Sequence, residues 1–128
     1  MKQTILNVRD LPRTSSPYSS GVIAEGKFLF VSGQGPYDPQ AGRFVRGSMA
    51  EQTKLTLECL RRVIDAAGAD IADVVSCRVF LQQLTESTFS EMNDAYREFF
   101  GSDFPARTTI GCQLLNIDVE IDCVVRIR

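Results

Sequence analysis

The chain has 128 residues, a formal net charge of −2 and no histidine. This length is typical of one domain with its own core, so we expect residues 1–128 to form a single domain. The longest basic run is Arg61-Arg62, which argues against nucleic acid as a partner. No segment is apolar for long enough to cross a bilayer and the N-terminus does not look like a signal peptide, so we expect a cytoplasmic protein with no membrane partner.

The cysteine and histidine content also limits the chemistry. The four cysteines show no C-x-x-C spacing, and histidine, the commonest zinc ligand, is absent, so we expect no metal site. Without a histidine base or a Gly-x-Ser-x-Gly segment, a serine hydrolase triad and a Cys-His pair are both excluded.

The N-terminal third is rich in strand-forming residues. Residues 2–8 predict a short strand, and residues 9–20, with two prolines and five serines or threonines, predict a loop. Two further β-rich runs, residues 22–24 and 28–31, are close enough in the chain to predict a hairpin. Residues 35–47 show no periodicity and predict a surface loop of the kind that often borders a site.

Two helices are predicted with a strand between them. Ser48 and Glu51 have capping-box spacing, and apolar residues then recur at helical period until Gly68. Residues 75–81 alternate as in a strand with one apolar face. An aromatic stripe through residues 87–100 predicts the second helix, with its stripe in the core.

The last two strands are predicted at residues 107–112 and 117–127. Strict alternation in the final segment makes it the clearest strand and places Glu120 on the face opposite Val119 and Ile121. The summed order, β-β-β-α-β-α-β-β, predicts an α+β fold with a single mixed sheet and two helices packed on one face.

The other face of this sheet is not expected to be wholly polar. It would carry three apolar side chains: Phe80, Ile110 and Val124. A second copy of the chain would cover them, so we expect an oligomer.

Arg107 and Glu120 are the best candidates for chemistry in a chain without histidine. They are predicted to lie on neighbouring strands. Arginine can hold a carboxylate through two parallel hydrogen bonds, and a glutamate can hold and activate a water. Taken singly, Glu120 could equally be a solvated carboxylate, and Arg107 a surface residue or the partner of Asp118 or Glu120 in a salt bridge.

Together, a set of short motifs resembles the RidA (YjgF-like) reactive intermediate deaminase family over nearly the whole chain. The motifs, in order, are Pro17-Tyr18-Ser19, Val31-Ser32-Gly33-Gln34, Gln52, Asn93-Asp94-Ala95-Tyr96, Phe99-Phe100, Pro105-Ala106-Arg107 and Val119-Glu120-Ile121. The resemblance implies a chorismate-mutase-like fold and a homotrimer with its active sites in the clefts between subunits.

The resemblance also implies an activity without metal or cofactor: hydrolysis of 2-imino acids and enamines of the 2-aminoacrylate type to 2-keto acids and ammonia. Arg107 would bind the substrate carboxylate and Glu120 would activate water. The remaining substrate-binding positions would be Tyr18, Ser32, Gly33, Asn93 and Thr109.

The chain departs from the family pattern at two residues. Thr109 stands where many members have cysteine, and Cys59, on the first predicted helix, where many have asparagine. The separation between Arg107 and Glu120 is also shorter than usual, which implies a short final hairpin. Two alternative functions stay open: a non-catalytic trimeric sensor of small keto acids, and a pathway-specific deaminase for a larger enamine such as an aminomuconate.

Overall fold

The computed structural model describes residues 1–13 and 15–128, so Thr14, in the predicted loop, lies outside the described residues. The strands are β1 Lys2–Ile5, β2 Gly21–Ala24, β3 Lys27–Gln34, β4 Tyr37–Asp38, β5 Arg43–Phe44, β6 Val74–Leu81, β7 Ala106–Gly111 and β8 Val119–Ile127. The helices are α1 Met49–Ala66 and α2 Glu86–Phe100, with a short 3-10 turn at Ile71–Asp73.

A four-stranded mixed sheet with the order β3-β8-β6-β7 is the centre of the fold. β6 and β7 are parallel, whereas β8 is antiparallel to both of its neighbours. The apolar residues of β8 account for its central place, because alternate side chains are buried on one face; these are Val119, Ile121, Cys123 and Val125. The α+β fold with a mixed sheet is confirmed.

Both helices pack on the same face of this sheet, as predicted. Ser48 caps α1 by accepting from the Glu51 amide at 3.1 Å, and Thr85 caps α2 in a reciprocal box with Thr88. Side chains at most 1% exposed join them to the sheet: Leu57, Leu60 and Ile64 from α1, and Met92 and Tyr96 from α2. Each such burial stabilises the fold by about 1.5–3 kcal/mol.

The predicted hairpin between residues 22–24 and 28–31 is wrong. β2 pairs with β1, and β3 pairs with β8 at the opposite end of the chain. The short link between β2 and β3 is therefore a crossing between sheets, with Gly26 at φ 120° allowing the turn. β8 is longer than β2, so β3 can pair with it over more residues.

The segment predicted as a loop, residues 35–47, contains a small hairpin of β4 and β5. Tyr37 lies edge-on to Phe44 with ring centres 5.3 Å apart, and Gly42, at φ 68°, supplies the turn. Two-residue strands are too short for a period of two to appear in the sequence.

The sheet face that points away from the helices carries exposed apolar side chains and is uncovered in the single chain. Phe30 is 76% exposed, and Phe28 and Ile110 are also exposed. Among them, Arg78 forms an ion pair with Asp122 at 2.6 Å, and this hydrogen bond raises the pKa of Arg78 above its usual value. We refer to this surface as the open face. No helix in the described part of the chain is both long and apolar enough to span a membrane.

Candidate functional site

Arg107 lies on the helix side of the sheet. In register, β7 places it beside Cys77 of β6, which is buried under α2. The guanidinium carbon is 5.0 Å from the ring centre of Tyr96, 5.5 Å from that of Phe89 and 5.6 Å from that of Tyr18. Three aromatic rings therefore surround the cation at distances where ring faces attract positive charge.

The charge of Arg107 has no acidic partner in the part of the chain that the structure describes. No carboxylate of residues 1–13 and 15–128 forms an ion pair with it, although the side chain is largely removed from water. Burial lowers the pKa of Arg107, while neighbouring Tyr96 and Cys77 act in the opposite direction. Because arginine stays charged at any working pH, a desolvated and unpaired guanidinium favours an incoming anion.

Tyr18, Asn93 and Thr109 lie on the same side as Arg107. Ser19 holds Tyr18 in place, since its amide donates to the Pro105 carbonyl at 3.1 Å. Asn93, next to the Met92 that contacts Arg107, donates from Nδ2 to the Ser16 hydroxyl at 3.4 Å. Within the described residues, Asn93 Oδ1 and Thr109 Oγ1 are buried without a hydrogen-bond partner. We call Tyr18, Asn93, Arg107 and Thr109 the arginine half-site.

Glu120 lies on the opposite side of the sheet. It stands beside Phe80 in register, on the open face. Gly33, at a bulge in β3, lies directly against its side chain: a Cβ on Gly33 would be 2.5 Å from Glu120 Oε2 and 2.8 Å from Cδ. Ser32 beside it is exposed. We call Ser32, Gly33 and Glu120 the glutamate half-site.

The two half-sites do not meet within one chain. β7 and β8 are not neighbours, because β6 lies between them, so the expected adjacency of Arg107 and Glu120 is wrong. The physical reason is the β6-α2-β7 order: a helix that connects two strands places them side by side and parallel. The strand alternation then puts the two side chains on opposite faces.

Sequence reasoning missed the role of the aromatic residues on α2. Phe89 and Tyr96 were predicted as core, and Tyr96 is indeed fully buried, but both also contact the Arg107 guanidinium. Their spacing of two helical turns, on the helix that leads into the Arg107 strand, is the signal that could have identified them. Burial and the neighbouring Cys77 raise the pKa of Tyr96, so its hydroxyl remains a neutral group beside the cation.

Comparison with known proteins connects this arrangement to one family. The family model described as endoribonuclease L-PSP matches residues 8–127. A RutC family protein of Pyrococcus abyssi is 38% identical over 122 residues, which cover 95% of this chain and 94% of that protein. The bovine 2-iminobutanoate/2-iminopropanoate deaminase is 36% identical over 103 residues, 80% of this chain and 73% of the bovine one.

Solved structures show the same fold. A putative endoribonuclease from Thermotoga maritima has a TM-score of 0.74 at 32% identity, covering 98% of both chains. A Rid family protein of unknown function from Yersinia pestis has a TM-score of 0.86 at 25% identity, again covering 98% of both chains.

The contact between Gly33 and Glu120 predicts the effect of one added methyl group. Gly33→Ala is expected to fold with a melting temperature near that of the wild type, because the side chain it meets is flexible, but to displace the Glu120 carboxylate. Gly21→Ala is the matched control, since a Cβ there meets nothing within 4 Å. Crystal structures of both variants check this, and an unmoved carboxylate in Gly33→Ala would show that the contact does not constrain Glu120.

Proposed function

This chain belongs to the endoribonuclease L-PSP (YjgF/RidA) family, and from that membership we propose that it is an enzyme that hydrolyses 2-imino acids and their enamine tautomers to 2-keto acids and ammonia. Relatives from cattle, goat and human that bear the name 2-iminobutanoate/2-iminopropanoate deaminase, at 33–36% identity, support this reaction class.

The unpaired Arg107 is the observation that carries the proposal. Its guanidinium is desolvated by aromatic rings and has no carboxylate partner in the described residues. A substrate carboxylate would supply the missing charge through two parallel N–H···O bonds. The aromatic surround fits a small, planar, conjugated acid, as 2-imino acids are.

We propose that the two half-sites join between protomers of a homotrimer. In one chain they occupy opposite faces of the sheet, so a complete site requires the arginine half-site of one copy and the glutamate half-site of another. The open face, with Phe30 76% exposed, supports an assembly that covers it. Such an interface would place the active sites in the clefts between subunits.

The proposed reaction begins with Arg107 holding the carboxylate, so that the imine carbon faces a water on Glu120. The water oxygen attacks the carbon of the protonated imine while the Glu120 carboxylate takes one water proton, giving a carbinolamine. Glu120 then returns that proton to the amine nitrogen. The C–N bond breaks as the Glu120 carboxylate accepts the hydroxyl proton, which leaves a keto acid and ammonia, and Glu120 afterwards releases this proton to solvent. Fixing both reactants at near-attack distance can contribute several kcal/mol, up to about 7–11 kcal/mol in the best cases.

The charge distribution favours a small acid over RNA as the substrate, despite the family's description. Several arginines that could contact a phosphate backbone are already paired with aspartates; these are Arg46, Arg78, Arg126 and Arg128. With a formal net charge of −2, the chain lacks the basic surface that nonspecific RNA binding requires.

Substitutions at the two half-sites should affect different kinetic parameters. Arg107→Ala is expected to lower kcat/KM at least about tenfold, because loss of a charged hydrogen bond costs roughly 1.5–3 kcal/mol. Glu120→Gln should lower kcat and leave keto-acid affinity nearly unchanged. The measurement is ammonia release while a dehydratase generates the imine from serine or threonine.

Arg9→Ala and Glu25→Gln are the controls for these variants, since both positions are exposed, and both should match the wild type. Equal rates for Arg107→Ala and the wild type would contradict the proposal. A wild type that binds keto acids but releases ammonia from no imine, small or large, would instead identify a sensor.

The open face predicts the behaviour of a charged variant. Phe30→Asp is expected to shift the protein from trimer toward monomer, because an aspartate would have to be desolvated in the interface. Leu11→Asp, at a position 57% exposed in the N-terminal loop, should leave the mass unchanged. Analytical ultracentrifugation measures both, and a wild type that sediments as a monomer would refute the assembly.

A further inference from the structure

The Gln52 side chain is fully buried at the start of α1, and every hydrogen of its amide is used. Nε2 donates to the Gly47 carbonyl at 3.0 Å and to Asp118 Oδ2 at 2.8 Å, and Oε1 accepts from the Asp118 amide at 3.0 Å. A neutral amide makes two donor bonds and accepts through its carbonyl, so this group is fully matched to its surroundings.

The carboxylate, amide and carbonyl of Asp118 are all hydrogen-bonded as well. Besides its two bonds to Gln52, its Oδ1 accepts from Arg46 at 2.7 Å, and its carbonyl accepts from the Gln82 amide at 3.0 Å. Asp118 directly precedes β8, and the next residue, Val119, is fully buried. The start of the strand is therefore fixed to α1 on one side and to the end of β6 on the other.

We infer that Gln52 is a positioning residue for Glu120, a role that rests on the proposed function. Glu120 lies two residues beyond the anchored Asp118, on a strand whose alternation cannot slip without burying charge. The Gln52–Asp118 contact sets the start of β8, and Gly33 limits the carboxylate from β3. Together they fix where the attacking water would be held.

Packing α1 on the sheet does not require the buried Gln52 amide and the Asp118 carboxylate. Leu57, Leu60 and Ile64 already bury α1 against the sheet. A buried amide adds desolvation cost unless all its bonds are made, whereas an apolar side chain of the same length would pack without that cost. What the amide adds is a defined geometry for the backbone at residue 118. A shift of about 1 Å at a reacting group can lower a rate about a hundredfold.

Gln52→Met tests this role, because methionine has a similar length and removes all three hydrogen bonds. We expect kcat for imine hydrolysis to fall at least about tenfold while KM changes by less than about twofold, since Arg107 still binds the carboxylate. The control is Thr53→Ala, the next residue of α1, which is equally buried but whose hydroxyl, among the described residues, donates only to the Met49 carbonyl within the helix. Its kcat should match that of the wild type.

If Gln52 had a purely structural role, Gln52→Met would lower the amount of folded protein. That loss must be separated from a loss of kcat. We therefore express kcat per keto-acid binding site counted by calorimetry, so that unfolded protein does not enter. Hydrogen exchange of the peptide containing residues 118–120 should also be faster in Gln52→Met than in Thr53→Ala.

The outcomes distinguish a failure of the positioning role of Gln52 from a failure of the proposed function. If the wild type releases ammonia and Gln52→Met keeps its kcat per site, the positioning role is refuted while the proposed function stands. A wild type with no turnover refutes both. Should Gln52→Met fail to fold, Arg46→Ala, whose side chain is 55% exposed, removes the other restraint on the Asp118 carboxylate. In that case kcat per site should fall with KM unchanged, and an unchanged kcat refutes the role.

Discussion

The alternation of β8 is the constraint on which the rest of the structure depends. Its apolar side chains form the floor of the core under both helices, so Glu120 must point away from them. The register through β6 puts Arg107 on the helix side. A slip of one residue would bury Glu120 and expose Val119 and Ile121, at a cost of several kcal/mol, so the packing that stabilises the sheet also separates the two functional groups.

This separation gives a physical reason for the proposed assembly. In the described residues, a single chain presents an arginine without an acidic partner on one face and a glutamate on the other, uncovered face, beside exposed apolar side chains. Each would be an unfavourable feature of a solitary domain. Joined between protomers, as proposed, the same features would become a carboxylate anchor, a base for water and a buried contact. The effects expected for Arg107 and Gln52 follow from this division of anchoring and positioning.

The sequence predicted where the helices and strands lie better than it predicted which strands pair. Both helices and the long strands were found because period and capping are local signals, as at Ser48 and in β8. The β2–β3 hairpin was wrong because a short link says nothing about a competing partner distant in sequence. The motifs identified Arg107 and Glu120, and the alternation of β8 predicted the face of Glu120. The face of Arg107 relative to it depends on the pairing of three strands, which no local pattern contains. The β6-α2-β7 order is the sequence signal that indicates parallel neighbours.

Mixing two inactive variants tests most directly whether the site is shared between chains. Arg107→Ala and Glu120→Gln protomers, coexpressed in equal amounts, should assemble randomly, and about a quarter of the clefts would then combine an intact arginine half-site with an intact glutamate half-site. The account predicts that ammonia release recovers to about that fraction of the wild-type rate. Mixed trimers that stay as inactive as either parent would contradict it.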